Sequence, residues 1–108
     1  MANTDDILAR VARVLEERKT ADPASSYAAG LYAKGLEAML KKIAEEAVET
    51  VLAAERGNNP ELVHEIADLW FHTLVLLSFK GLHPSQVLEE LQRRFGTSGI
   101  AEKATRTR

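Results

Sequence analysis

Glu45, Glu46 and Glu49, followed by Glu65 and Asp68, are the side chains of this 108-residue chain whose types and spacing best suit chemistry. The first three lie in KKIAEEAVETVLAAE and the other two in ELVHEIADLWFHTLVLL. On a helix, Glu-x-x-Glu and Glu-x-x-Asp each set two carboxylates on one face. Between the two segments, Gly57-Asn58-Asn59-Pro60 interrupts the helical pattern and turns the chain back. Glu49 stands seven residues before Arg56 and Asp68 seven after Glu61. An antiparallel hairpin therefore brings both groups to similar heights, at about 1.5 Å per residue. Carboxylates gathered on facing helices repel unless a cation lies between them, and oxygen donors favour magnesium or manganese.

Such a site suits phosphoanhydride cleavage. Magnesium bridges phosphate oxygens, and a spare carboxylate can orient or deprotonate the attacking water. Phosphates also need cations, for which Lys41, Lys42, Lys80, Lys103, Arg106 and Arg18 are candidates. The competing reading is a solvated charged face, the commoner meaning of Glu-x-x-Glu by itself. Two features weigh against it. Leu52, Ala53 and Ala54 follow the acids within a turn, and Lys41 and Lys42 precede Glu45 and Glu46 in the less favourable order for helix ion pairs. Glu65 and Asp68 also sit beside Ile66, Leu69 and Trp70, where an unpaired carboxylate is costly. The absence of a Glu-x-x-His motif in each group points away from a di-iron bundle.

The elements that must hold these groups are helical throughout. Ile7, Leu8, Val11, Val14 and Leu15 space a first amphipathic helix, with Asn3 or Thr4 to cap it and Asp22-Pro23 to stop it. Residues 24–35 read as a short helix or an ordered loop. A long helix spans Leu36 to Arg56, with Leu40, Ile43, Ala47 and Val51 as its core stripe and Lys42, Glu45, Glu46 and Glu49 opposite. Asn59 as cap and Pro60 open the next helix, which runs to Lys80-Gly81. His83-Pro84 starts the last, although histidine is a poor cap; Val87, Leu88 and Leu91 face inward there, and Gly96 ends it. The basic tail, 97–108, is either a mobile end or an arm that contacts ligand.

From Leu69 to Phe79 the sequence is apolar nearly all round a helix, so both sides must be covered, and a second copy is expected to help. His64 reads as a surface residue. His72 is either a partner of Asp68 or a hydrogen-bonded core histidine. Trp70 and Tyr32 are core or interface residues unless they stack on a base; Ser26 and Tyr27 pack and cap unless they touch substrate.

Size and composition fit one domain over residues 1–108. A net charge of −2 argues against nonspecific nucleic-acid binding, and no cysteine is present for disulfide, thiolate zinc or thiol chemistry. The Leu69–Phe79 run is too short to cross a bilayer, and no secretory signal opens the chain, so cytoplasmic residence is expected.

The segments EERKTADPASSYAAGLYAKG (16–35), LKKIAEEAVETVLAAERG (40–57), ELVHEIADLWFHTLVLL (61–77), GLHPSQVLEEL (81–91) and SGIAEKATR (98–106) together resemble the phosphoribosyl-ATP pyrophosphatase family. That family sits within the MazG-like all-α nucleotide pyrophosphohydrolases. EEAVE is a superfamily-level feature; ADPxxSY and SGIxEKAxR are far more specific. The resemblance implies an all-α bundle of four main helices plus a short one, completed by homodimerisation. It also implies hydrolysis of phosphoribosyl-ATP to phosphoribosyl-AMP and pyrophosphate in histidine biosynthesis. By the family pattern Glu46, Glu49, Glu65 and Asp68 bind Mg2+, with Mn2+ an alternative, and Glu45, Glu46 and Glu49 serve catalysis. Lys42 contacts phosphate, and Lys103 and Arg106 close over substrate. Glu37 stands where relatives often have aspartate, and His83 replaces a serine-type cap. A fused cyclohydrolase domain, common in bacteria, is not expected in a chain of this length. A house-cleaning nucleoside triphosphate pyrophosphatase and a noncatalytic dimerising helical module are the alternatives.

Overall fold

The computed structural model describes residues 4–96, with side chains from Ile7 onward; these residues form five helices and no strand. They are α1 (Thr4–Arg18), α2 (Tyr27–Lys34), α3 (Leu36–Arg56), α4 (Asn59–Phe79) and α5 (Pro84–Phe95). Four main helices and one short one are as expected, and the all-α class is that of the MazG-like proteins. The 24–35 segment becomes a short helix because Ser26 caps it, its hydroxyl oxygen accepting the Ala29 N–H at 3.1 Å. The Asn3 and Thr4 caps expected for α1, and Lys103 and Arg106, fall outside the residues and side chains described.

The α3–α4 hairpin is the centre of the fold. α2 packs on α3, α1 on α4, and α5 on α1. Gly57 closes α3 at φ 72°, a left-handed conformation that side-chain-bearing residues adopt at a cost. Its N–H reaches the carbonyls of Ala53 and Ala54. The cap of α4 is Asn58, one residue earlier than expected: its side-chain oxygen accepts the Glu61 N–H at 3.1 Å. Glu61 also pairs with Arg56 at 2.9 Å, tying the two helix ends together across the turn. His83 does cap α5. Its Nδ1 accepts the Ser85 N–H at 3.1 Å while its own N–H donates to Gln86 Oε1 at 2.9 Å, a reciprocal box built with an imidazole.

Leu15, Ala28, Leu31, Met39 and Val75 form the buried core, drawn from α1, α2, α3 and α4. Tyr32 packs against this cluster and its hydroxyl is buried, as a core residue's would be. The expected core stripe of α3 is reversed. Leu40 and Val51 are 47% and 57% exposed, whereas Met39, Glu46 and Ala53 are the buried positions. Residues seven apart fall on nearly one line of a helix, and this line carries the carboxylate inward. Both sides of α3 hold apolar residues, and so short a chain covers only one of them. On α5, Val87 and Leu91 are likewise exposed, while Leu88 is half-buried and Pro84 buried. Among the described residues α4 is the one helix long and apolar enough to cross a bilayer by length and composition. The whole helix meets that measure although Leu69–Phe79 alone does not, and a central helix with neighbours on several sides reads the same way.

Candidate metal centre

The inward line of α3 sets Glu46, 9% exposed, in the seam against α4. There it meets Glu65. The Glu65 carboxyl titrates above its ordinary 4.5, first through partial burial and next through the side-chain contact with Glu46; Asp68 adds to the shift and His64 opposes it. Asp68 follows Glu65 by three residues and is half-buried. Oxygen or nitrogen atoms of His64, Glu65 and Asp68 lie within 4.8 Å of one another, close enough to share one ion.

His64 is exposed, as expected, but it is not apart from the acids: its Nε2 lies 3.4 Å from Asp68 Oδ2. Four residues separate them, the spacing that stacks side chains on one helix face. Lys42 is the cation of the site, with Nζ 3.5 Å from Glu45 and 3.6 Å from Glu46. Burial works to lower the Lys42 pKa, but Tyr27, Glu45 and Glu46 together outweigh it and the net shift is upward.

Glu46, Glu65, Asp68, Lys42 and, at the rim, the exposed Glu45 are thus brought together. Glu49 is exposed beside Ala44, Glu45 and Val48, about 60° round the helix from Glu46 and on the same rim as Glu45. Equal distance from the hairpin turn gave similar heights, and the angle decides which acid faces which.

The donor set fits a hard divalent cation. Carboxylate oxygens converge from two helices, two of them in like-charged contact, with one lysine to offset them. Glu46 and Glu65 supply oxygens from opposite sides of the seam and Asp68 a third. The His64 nitrogen is a softer donor, better placed to orient Asp68 than to bind magnesium.

A pair that the sequence did not single out adjoins the acids. His72 is buried, with Nδ1 2.7 Å from the Asp68 carbonyl oxygen and Nε2 2.7 Å from the Tyr27 hydroxyl. A carbonyl only accepts, so in the neutral ring Nδ1 carries the proton and Nε2 accepts from Tyr27. His72 is therefore a hydrogen-bonded core histidine, bonded to the main-chain carbonyl of Asp68 and not to its carboxylate. Burial pushes the Tyr27 hydroxyl pKa up; Lys42 opposes this, and Glu46, Asp68 and Glu45 reinforce it. Tyr27 thus stands at the edge of the acid cluster, packed against Phe71 and His72. Nothing in the sequence marks a pairing across 45 residues. Trp70, by contrast, is 60% exposed and faces away from the core.

Two hollows of similar size flank the helices. One, about 690 Å³, lies between α1 and α5 and touches none of the acids. The other, about 680 Å³, runs along α2 and α3 and ends at Lys42 and Glu45. The chemistry of the acids favours the second.

Residues 8–95 match the family profile described as Phosphoribosyl-ATP pyrophosphohydrolase. The chain is 60% identical to a protein of Methylococcus capsulatus over 101 residues, covering 94% of this chain and 96% of the relative. A Geobacter metallireducens protein is 55% identical, with 98% and 97% covered, and one from Hydrogenovibrio crunogenus is 52% identical, with 97% and 96% covered. Each of the three bears the name Phosphoribosyl-ATP pyrophosphatase.

Proposed function

We propose a function from one premise: the chain belongs to the phosphoribosyl-ATP pyrophosphohydrolase family. It hydrolyses the α–β phosphoanhydride of 1-(5-phosphoribosyl)-ATP, giving 1-(5-phosphoribosyl)-AMP and pyrophosphate, a step of L-histidine biosynthesis. Within this chain the observation that carries the reading is the meeting of buried Glu46 with Glu65 in the α3–α4 seam, two carboxyl groups brought together beside Asp68.

Glu46, Glu49, Glu65 and Asp68 are the residues that would hold Mg2+, or Mn2+ in its place. When bound, the ion neutralises phosphate oxygens that gain charge as the anhydride breaks. Glu45, Glu46 and Glu49 supply the carboxylate that orients water and takes its proton while the bridging oxygen leaves with one phosphorus. Lys42, 3.5 Å from Glu45, is within reach of a phosphate oxygen at the same place. Lys103 and Arg106 close over the substrate from the tail. Magnesium is preferred to iron or zinc because the donors are carboxylates.

The active form is a homodimer of one-domain chains in the cytoplasm, with no nucleic-acid or membrane partner. The outward apolar side of α3 supports the dimer. The mid-helix acids Glu65 and Asp68, turned toward α3, support a soluble setting for α4.

The test is turnover of phosphoribosyl-ATP against a panel of ordinary nucleoside triphosphates, with and without chelator. Glu49→Ala and Asp68→Ala are each expected to keep the helical fold and lose magnesium-dependent pyrophosphate release by at least a hundredfold, taken as roughly 3 kcal/mol of transition-state stabilisation. Full activity in both variants, or preference for plain triphosphates, refutes the proposal.

A further inference from the structure

We infer that the groove between α2 and α3 is the subsite for the ribose-phosphate arm of the substrate, with Lys34 and Lys41 holding its terminal monophosphate. The inference rests on the proposed function, because that substrate carries anionic groups at both ends. Its triphosphate belongs with the carboxylates and their ion. The 5-phosphoribosyl group on the adenine lies apart from it and brings a second phosphate that the same ion does not serve.

The α2–α3 groove has the composition such an arm needs. Its floor is apolar, with Pro23, Gly30, Leu31 and Ala38, and Tyr27 stands beside it at 54% exposure. Lys34, Lys41 and Lys42 supply its positive charge, and Glu45 a negative one where it meets the acid cluster. Pyrophosphate alone would leave an apolar floor without a use; a sugar attached to a base covers it. Along α3 the groove extends from Ala38 to Glu45, about 10 Å at 1.5 Å per residue, so it starts at the acid cluster and leads away from it.

Of the three lysines on the groove, the two outer ones are those without a counterion, as is Lys80 elsewhere on the surface. Lys19 pairs with Glu16, Arg56 with Glu61, and Lys42 with Glu45 and Glu46. Among the described residues, Lys34 and Lys41 pair with no carboxylate, and both are exposed. Two ammonium groups on one groove, whose one acid, Glu45, is paired with Lys42, present a positive charge to a phosphate dianion. Gly30 keeps the floor open and close to the preceding loop: a Cβ there would lie 3.2 Å from the Pro23 carbonyl oxygen.

The experiment compares the magnesium-loaded enzyme with Lys34→Ala, Lys41→Ala and the double variant. Each single change is expected to raise KM for phosphoribosyl-ATP about tenfold to a hundredfold, the range for one charge-assisted hydrogen bond, with little change in kcat at saturation. Arginine at either position should restore much of the loss. Ribose 5-phosphate, titrated by NMR, should bind wild type and bind the double variant more weakly by a similar factor. That readout does not need turnover. A wild type that fails to hydrolyse phosphoribosyl-ATP refutes the functional reading, whereas unchanged KM and unchanged ribose 5-phosphate binding in the lysine variants overturn this subsite alone. A fall in kcat with KM constant also overturns it, since the lysines would then serve the departing pyrophosphate. Melting temperatures separate both cases from a merely structural role of Lys34 at the end of α2.

Discussion

Val51→Asp is expected to split the proposed homodimer while leaving the single chain helical. The α3–α4 hairpin is covered on one side by α1 and α2. On the other side Leu40, Val48, Val51 and Leu52 of α3, and Val63 and Trp70 of α4, remain 39% to 69% exposed. Their spacing of three, four and seven residues makes each helix's set one stripe, too extensive an apolar surface for a soluble monomer. Val51 is 57% exposed. Fully burying a valine is worth about 1.5 kcal/mol, so covering its open share gives about 0.9 kcal/mol, and a twofold interface contains it twice. A carboxylate forced unpaired into the same contact adds at least ~1 kcal/mol per copy. The total of about 4 kcal/mol corresponds to a thousandfold increase in Kd for the dimer. Sedimentation across a concentration series measures the shift, and the single tryptophan, Trp70, should move to longer emission wavelengths as its cover is removed. A wild type that sediments as a monomer at millimolar concentration, or a variant with unaltered Kd, would show that the open side has some other use.

Two further outcomes follow from the site. The folded pKa of Glu65 is raised above 4.5, so its contribution to the stability of the metal-free chain is full below 4.5 and is lost as pH rises through the folded value. Magnesium requires the proton to leave, so affinity should increase with pH through that window; calorimetry in buffers of different ionisation enthalpy should detect proton release, and Glu65→Gln should remove it. Replacing His72 with phenylalanine deprives the Asp68 carbonyl and the Tyr27 hydroxyl of their partner, at a cost of about 1–3 kcal/mol in urea unfolding; Tyr27→Phe should cost about 1 kcal/mol, and additive losses in the double variant would deny the coupling.

The hairpin and its acids were legible because they depend on local chemistry. Gly57 must reverse the chain and Pro60 must start a helix, and both act within one turn of themselves. Helix lengths followed from the same kind of signal, whereas the sequence of residues 24–35 allows either a short helix or a loop and the Ser26 cap decides it. What was not legible is rotation. Periodicity identifies a stripe but does not choose between two apolar stripes on one helix, and α3 has both Met39–Glu46–Ala53 and Leu40–Val48–Val51. The choice depends on what α2 and α4 can cover. For the same reason the pairing of Tyr27 with His72 emerges only once α2 is docked.

The inversion of α3 also explains why its acid stripe is better evidence of chemistry than the motif alone. A carboxylate at a position between Met39 and Ala53, facing another carboxylate on α4, is a poor choice for stability, since an apolar side chain there would incur neither desolvation nor repulsion. Sequences keep such conflicts where a ligand resolves them. Meanwhile the side of α3 that could have made an ordinary core is left facing outward, where a second copy can use it. The two arrangements answer one constraint: turning Glu46 into the protected seam, where charge interactions are strong, turns the aliphatic stripe out, so that a buried acid facing α4 and an open apolar face, the one the proposed dimer would use, come from the same rotation of one helix.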